Sequence, residues 1–350
     1  GAAGSASDPA AVDLAGNDYL GLSRHPAVVA GAGEALRAWG AGATGSRLVT
    51  GNTALHEELE QALADHCGQP SALVFSSGYL ANLGVVTALA GADCLVVSDA
   101  HNHASLIDAC RLSRSRVVVT PHADVDAVRD ALAGRSEPRA LVLTESVFSV
   151  LGDLAPLPEL ADLCAAADAV LVVDEAHGLG VAGQGRGAVA ECGLAGRTSV
   201  VVTATLSKAL GAQGGVVLGS SAVRNHLINT ARPFIYDTGL APAIAGAALA
   251  ALSVLRDEPE RVARVRRAAA ALAAAAGVAT APGAVLSRTL AGPAEALAAA
   301  EECARHGIRV GCFRPPSTPD GSSRLRLTGS AALDDAALDR ACEVLRRVLA

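Results

Sequence analysis

The sequence predicts an α/β fold built on a mostly parallel sheet of seven strands. Seven short runs rich in Val, Leu and Ala recur between residues 72 and 218. The runs are continuously apolar rather than alternating, which is typical of strands buried on both faces. Strands that alternate with helices join through right-handed crossovers into a parallel sheet covered by helices. The predicted strands are 72–75, 94–98, 116–120, 140–144, 169–174, 199–203 and 215–218.

Helical spacing separates most of these strands, for example at 105–114, 124–133 and 158–167. Only residues 204–214 lie between the last two strands, and this is too short for a helical crossover. We therefore expect the strand at 215–218 to run antiparallel.

The pattern changes after about residue 245, where long Ala-, Leu- and Arg-rich segments begin. Helices are predicted at 243–256, 259–276 and 334–349, and short strands near 284–290, 309–311 and 324–328. The predicted organisation is an N-terminal segment (1–46), a large domain (47–245) and a smaller C-terminal α/β domain (246–350). The first ten residues are small and polar, and we expect them to be loosely held.

The composition excludes several classes of function. Of 350 residues, 51% are apolar and 2% are aromatic, so small side chains must fill a large core. The net charge of −7 and the scattered arginines argue against binding to nucleic acid or an anionic membrane surface. Apolar runs are too short to span a bilayer. The eight cysteines show no metal-binding spacing, which predicts a reduced, cytoplasmic protein without a metal site.

Lys208 is the only lysine among 28 lysines and arginines. Arginine pairs with carboxylates at least as well, but only lysine can lose its proton and attack a carbonyl carbon. Burial lowers the pKa of a lysine towards the range in which the free amine exists. A stray lysine on a loop would fit the composition equally well, so the neighbouring residues must decide.

Polar residues gather where the predicted strands end, which is where open parallel sheets bind ligands. Ser77, Gly78 and Tyr79 follow the first strand and open a helix, whose N–H groups suit a phosphate, although an ordinary N-cap is as consistent with them. Asp174 directly follows an apolar strand and needs a cation or proton donor there. The other candidates are His101 and His103 after the second strand, Glu145 and Ser149 after the fourth, His177 after the fifth, and Thr205, Ser207 and Lys208 after the sixth.

Pyridoxal 5′-phosphate (PLP) uses such a set of groups together. It needs a lysine for its aldehyde, a carboxylate for its pyridine nitrogen and an anion site for its phosphate. Two motifs that bind nucleotides in other proteins lack the context that they need here. The "DEAH" segment has no phosphate-binding loop upstream, and the GxGxxG at 40–45 follows a helix rather than a strand. The sequence therefore predicts PLP as the cofactor.

Several segments resemble the α-oxoamine synthase family from about Leu14 to the C-terminus. They are "GNDYLGLSRHP", "GATGSRLVTG", "SSGYLANLG", "NHASLIDA", "TESVFS", "VDEAHGLGVAGQGRG", "LSKALGAQGG" and "RPPSTPDGSSRLRLT". The resemblance implies a type I aminotransferase fold and a homodimer with a shared active site. It also implies decarboxylative condensation of an amino acid with an acyl thioester. Members of biotin biosynthesis are the most similar, with L-alanine and pimeloyl-CoA, or its carrier-protein ester, as substrates.

The resemblance also assigns roles to individual residues. Lys208 is the Schiff-base lysine, Asp174 pairs with the pyridine nitrogen and His177 donates to the ring oxygen. His103 stacks on the ring as a catalytic residue. Arg314, which Pro315 and Pro316 present rigidly, binds the amino acid carboxylate, although an interdomain salt bridge would also explain it. The remaining assignments are Ser77, Gly78, Tyr79, Ser149 and Thr205 to the cofactor, and Asn17 and Glu145 to the substrate.

Three alternatives stay open on the sequence. The chain could be another α-oxoamine synthase, such as glycine C-acetyltransferase, 5-aminolevulinate synthase or serine palmitoyltransferase. A transaminase or lyase of the same fold would use the same lysine and aspartate, and a third possibility is a protein that binds PLP without turnover. The sequence departs from the family at Gly16 and at 150–152, where Ser and an acidic residue are common. These departures concern the acyl chain more than the chemistry.

Overall fold

The computed structural model describes residues 11–350 and places a large sheet between layers of helices. Residues 1–10, which we expect to be loosely held, lie outside the described residues. The strands are β1 (Val12–Asp13), β2 (Ser71–Phe75), β3 (Cys94–Asp99), β4 (Arg116–Thr120), β5 (Arg139–Glu145), β6 (Val170–Asp174), β7 (Val200–Thr205), β8 (Gly215–Gly219), β9 (Val285–Leu290), β10 (Ile308–Arg309), β11 (Gly311–Phe313) and β12 (Ser323–Thr328).

Helices separate most of these strands and follow the last one. They are α1 (Pro26–Trp39), α2 (Ala54–Cys67), α3 (Gly78–Leu89), α4 (Ala104–Leu112), α5 (Val125–Ala133), α6 (Leu157–Ala166), α7 (Ala188–Glu191), α8 (Ser221–Thr230), α9 (Arg232–Ile235), α10 (Pro242–Asp257), α11 (Glu260–Ala276), α12 (Pro293–Arg305) and α13 (Asp335–Val348). No helix within residues 11–350 is long and apolar enough to cross a membrane.

The large sheet has seven strands in the order β2-β8-β7-β6-β5-β3-β4. Strand β8 is antiparallel to both of its neighbours, and all other neighbouring pairs are parallel. This confirms the mostly parallel sheet of seven strands, including the antiparallel strand expected after the short connection at 204–214.

Both faces of the sheet are buried at its central strands, as the continuous apolar runs predict. The prediction is wrong for β4, which lies at the edge of the sheet and leaves Val117 and Val119 exposed. On β7, Val200 and Val202 pack into one hydrophobic cluster and Val201 packs into another on the opposite face. Leu171 and Val172 on β6 are likewise divided between the two clusters and are fully buried. Burying each such side chain stabilises the fold by about 1.5–3 kcal/mol, so the sheet is a rigid platform for residues at its carboxyl edge.

The N-terminal residues contact both the C-terminal elements and the main core. Strand β1 pairs with β10, and the Leu14 carbonyl accepts a hydrogen bond from the Thr328 N–H at 2.9 Å. A few residues later, Tyr19 is buried in the cluster beneath the large sheet. Residues 14–19 therefore run from β12 to the large sheet and bring Asn17 between them. The division into parts at residues 46 and 245 stays a prediction.

Candidate active site

A cavity of about 240 Å³ lies at the carboxyl ends of β2, β5, β6 and β7. The first turns of α3 and α4 complete its walls, which is the expected location for a ligand in an open parallel sheet. It gathers most of the residues that the sequence predicts for the cofactor. The lining residues are Ser77, Gly78, Tyr79, Asn82, His103, Ser105, Glu145, Asp174, Ala176, His177, Ala204, Thr205, Ser207, Lys208, Gln213 and Gly214.

Lys208 lies on the loop that follows β7, with its amine in the cavity. Burial lowers the pKa of Lys208 to about 8, although the nearby carboxylates of Asp174 and Glu145 oppose the shift. Its Nζ donates a hydrogen bond to His177 Nε2 at 2.7 Å. The only lysine is therefore held in one place and can exchange a proton near neutral pH.

His177 connects Lys208 to the N-terminal segment. Burial, and next the charge of Lys208, hold the pKa of His177 well below its ordinary value, so the ring is neutral. Since Nε2 accepts from Lys208, Nδ1 carries the ring proton and donates to Tyr19 Oη at 2.7 Å. Tyr19 Oη in turn donates to Asn17 Oδ1 at 3.0 Å. Burial raises the pKa of Tyr19 to about 12, which keeps this hydroxyl a donor.

Asp174 ends β6 and is buried at the cavity wall. Its Oδ2 accepts from Asn82 Nδ2 at 2.7 Å and its Oδ1 accepts from the Ala176 N–H at 2.9 Å. Thr203 Oγ1 donates to Asn82 Oδ1 at 2.6 Å and orients that amide. Asp174 forms no salt bridge within residues 11–350, so its charge remains available to a cationic ring nitrogen. Asn82 was not predicted as a site residue, because a polar residue on the inner face of a helix is a weak signal in the sequence.

Glu145 ends β5 beside Asp174, its partner in the sheet register. Oε2 accepts from the Ser149 N–H at 3.0 Å, whereas Oε1 has no hydrogen-bond partner within the described part of the chain. Burial, and next the charge of Asp174, raise the pKa of Glu145 well above its ordinary value. The shift favours the protonated carboxyl, and one of its oxygens is free for a bound molecule.

The start of α3 lies at one end of the cavity and presents backbone N–H groups that suit an anion. Ser77 Oγ caps the helix by accepting from the Leu80 N–H, and the first N–H groups of the helix remain for a ligand. Thr205 Oγ1 shares a hydrogen bond of 2.7 Å with Ser207 Oγ beside them. A Cβ on Gly78 would lie 3.0 Å from Thr205 Cβ, so a larger residue would narrow this end.

Two other predicted residues also line the cavity. His103 caps α4 through Nδ1, which accepts from the Ser105 N–H at 3.2 Å and leaves Nε2 to carry the proton. Burial, and after it the charge of Lys208, lower the pKa of His103 against the opposing charge of Asp174. The Tyr79 hydroxyl donates to Asp108 on α4, so the phenol links the two helices at the rim.

The structure does not bring Arg314 into this cavity. Arg314 is exposed and lines a separate cavity of about 350 Å³ together with Phe313. Arg326 on β12 lies near Lys208 and His177 instead. Its Nε donates to the Ser149 carbonyl at 2.7 Å.

Arg326 is a buried cation without a carboxylate partner among residues 11–350. Its Nη2 donates to Asn17 Oδ1 at 3.1 Å, and its neighbour on the strand, Arg324, pairs with Asp320. A buried guanidinium is costly unless an anion accompanies it. Arg326 was not predicted from the sequence. A signal was present, because two arginines alternate along an apolar strand, and buried guanidinium groups need anions beside them.

The residues present fit PLP. Lys208 offers an amine, Asp174 a carboxylate without a salt-bridge partner in the described part of the chain, and the start of α3 backbone N–H groups that suit a phosphate. His103 forms part of the wall between them. Glu145 adds a buried carboxyl oxygen without a partner among the described residues, which suits a polar molecule.

Curated relatives are similar to this chain over nearly all of its length. The 8-amino-7-oxononanoate synthase of Mycolicibacterium gilvum is 64% identical over 340 residues, which cover 97% of this chain and 90% of the relative. The 8-amino-7-oxononanoate synthase of Mycobacterium leprae is 62% identical over 339 residues, covering 97% and 88%.

Solved structures share the fold. A serine palmitoyltransferase from S. paucimobilis, solved with a bound PLP–myriocin aldimine, has a TM-score of 0.92 and 32% identity, covering 97% of this chain and 87% of that one. The 8-amino-7-oxononanoate synthase from Francisella tularensis has a TM-score of 0.83 and 28% identity, covering 97% and 98%.

These likenesses bear out the resemblance to α-oxoamine synthases and the type I fold of PLP enzymes. The family model for aminotransferase class I and II matches residues 9–345. The chain belongs to the aminotransferase class I and II family.

Proposed function

We propose that the chain condenses L-alanine with a pimeloyl thioester, with loss of CO2, to give 8-amino-7-oxononanoate and free thiol in biotin biosynthesis. The observation that carries this proposal is the cavity itself. It holds Lys208 against His177 and contains Asp174, which has no salt-bridge partner among residues 11–350. Arg326 lies near Lys208 and His177 and is buried without an acid partner among the same residues. The 62–64% identity to 8-amino-7-oxononanoate synthases supports the choice of substrates.

PLP, when bound, supplies an electron sink for the pair left on the amino acid Cα. Asp174 would hold the pyridine nitrogen protonated, and the N–H groups of α3 with Ser77 and Thr205 would hold the phosphate. His103 would cover one face of the ring. Asn82 and Ala176 keep the Asp174 carboxylate aimed at the cavity, because they occupy one lone pair on each of its oxygens.

Lys208 has the properties of the base that moves the Cα proton. Its pKa near 8 lets Nζ accept and return a proton close to neutral pH. His177 Nε2 accepts from the amine and holds it in position, and the neutral ring adds no competing charge. Since the sequence contains no other lysine, no second amine of this kind can replace it.

Arg326 and Asn17 are the proposed site for the amino acid carboxylate. A carboxylate beside Arg326 would accept two parallel N–H bonds and would neutralise a buried charge that otherwise lacks a partner. Asn17 already accepts from the guanidinium and would help to orient it. This role replaces the one predicted for Arg314, which lies in a different cavity.

The proposal includes a homodimer with a shared active site in the reducing cytoplasm. Leu48, Val49 and Tyr236 are large apolar residues that are 50%, 77% and 70% exposed, and a second copy of the chain would cover them. All eight cysteines are free thiols, which suits a reducing compartment. Sedimentation analysis of the purified protein tests the dimer directly.

The test is a substrate panel on the protein reconstituted with PLP. We expect L-alanine with pimeloyl-CoA or pimeloyl carrier protein to give thiol release, CO2 and 8-amino-7-oxononanoate. The control pairs are glycine with acetyl-CoA, for a glycine C-acetyltransferase, and L-serine with palmitoyl-CoA, for a serine palmitoyltransferase. Faster turnover with either control pair would reject the proposed substrates, and a 2-oxo acid product would indicate a transaminase.

A further inference from the structure

A cluster of two histidines and two aspartates lies outside the cavity, beyond the end of β4. The ring of His122 sits between Asp99 Oδ1, 3.0 Å from Nδ1, and Asp153 Oδ2, 2.7 Å from Nε2. It stacks on His101 with ring centroids 3.9 Å apart and an interplanar angle of 17°. The edge of Phe148 closes the other side at 4.3 Å. The imidazole is therefore held from four directions.

The geometry favours the positively charged form of His122. Each ring nitrogen faces a carboxylate oxygen, and only the imidazolium can donate from both nitrogens. Burial lowers the pKa of His122, but the bonds to Asp99 and Asp153 outweigh it, so the net shift is upward. Burial and then the neighbouring His122 lower the pKa of His101, against the opposing charges of Asp99, Asp153 and Asp320.

Asp153 belongs to a tight hairpin whose tip reaches the active site. Val147 and Leu154 form an antiparallel bridge, and the Phe148 N–H donates to the Asp153 carbonyl at 2.9 Å. Gly152 has a φ of +81°, and a Cβ there would lie 2.2 Å from the Val285 carbonyl, so the hairpin packs closely on β9. Residues 147–154, here named the 147–154 hairpin, thus have one defined position.

The tip of the 147–154 hairpin contacts both substrate-facing groups. Ser149 donates its N–H to Glu145 Oε2 and accepts from Arg326 Nε through its carbonyl. That carbonyl and Asn17 Oδ1 accept the hydrogen bonds that Arg326 donates within the described part of the chain, so they set the direction of the guanidinium. His122 binds the base of the same hairpin through Asp153.

We propose that His122 is a positioning residue for the amino acid substrate, anchoring the 147–154 hairpin at Asp153 so that the Ser149 carbonyl keeps Arg326 aimed at the substrate carboxylate. This rests on the carboxylate-binding role proposed for Arg326. The anchor is complete while His122 carries both protons. As the pH rises through its raised pKa, one of the two bonds loses its proton, and a ring lone pair then faces a carboxylate.

The experiment compares His122→Gln with His306→Gln, a matched control at an exposed histidine that pairs with Glu302. The holoenzyme is titrated with L-alanine alone, and the change in cofactor absorbance gives the Kd for L-alanine. We expect H122Q to raise this Kd about tenfold, the scale of one lost hydrogen bond to a charged group. The KM for the thioester should stay within about twofold, and H306Q should match the parent in both. Lys208 and the amine of L-alanine titrate in both proteins, so the diagnostic quantity is the ratio of the H122Q Kd to the parent Kd, which should fall towards one as the pH rises and the parent loses the same anchor.

Hydrogen exchange of peptides spanning 146–156 gives a readout that does not depend on turnover. Exchange should be faster in H122Q than in the parent and unchanged in H306Q. An unaltered L-alanine Kd or unaltered exchange in H122Q would overturn the proposal, whereas a parent that binds no amino acid would reject the proposed function instead. If H122Q does not fold, Asp153→Asn removes the same anchor. If neither variant folds, the cluster serves folding and the proposal fails.

Discussion

Replacing Arg326 by lysine tests which arginine binds the amino acid carboxylate. Lysine keeps the positive charge but cannot form the two parallel N–H bonds that a guanidinium makes with a carboxylate. In the structure Arg326 is 4% exposed, so water cannot replace the lost bond. One hydrogen bond to a charged group contributes about 1.5–3 kcal/mol, which corresponds to an increase of about 10- to 150-fold in the KM for L-alanine.

The assay measures initial rates of thiol release at variable L-alanine and saturating pimeloyl thioester. The KM for the thioester should change little, because within residues 11–350 the hydrogen bonds of Arg326 go to Ser149 and Asn17. Arg314→Lys is the matched control, and we expect it to leave the KM for L-alanine within about twofold, since Arg314 is exposed in another cavity. A large effect of R314K with none for R326K would refute this reasoning and restore the assignment predicted from the sequence.

Three further changes test the rest of the site. Lys208→Arg should keep the fold and lower turnover by about 10²–10⁴-fold, since a guanidinium cannot act as the base. In the parent, borohydride reduction and peptide mapping should place a pyridoxyl group on Lys208. The absence of that group from Lys208 would contradict the assignment. Asp174→Asn should retain the melting temperature within a few degrees but lower kcat by at least about a hundredfold, because a neutral amide does not stabilise a protonated ring nitrogen; turnover within a few-fold of the parent would show that another group does this. Glu145→Gln tests the raised pKa of Glu145, because the stability that a protonated buried carboxyl contributes is present at low pH and is lost as the pH rises through the raised pKa. The melting temperature of E145Q relative to the parent should therefore increase with pH. A difference that does not change with pH would show that Glu145 is ionised throughout.

The fold could be predicted from the sequence because its signals are local. Continuous apolar runs such as β6 and β7 report burial on both faces, and the short connection at 204–214 indicates the antiparallel β8. Lys208 and Asp174 were found for the same reason, since each follows a buried strand and parallel strands bring their carboxyl ends to one edge. The composition alone drew attention to the lysine.

The partners of these residues were decided only by the tertiary structure. Asn17 and Arg326 are separated by 309 positions, yet they share a hydrogen bond because residues 14–19 run from β12 to the large sheet. Tyr19 meets His177 across 158 positions in the same way. Arg314 was a reasonable choice on the sequence, because a proline pair presents it rigidly. Exposure and the availability of an acid partner depend on which elements pack together, and local patterns do not report such contacts between residues far apart in the chain.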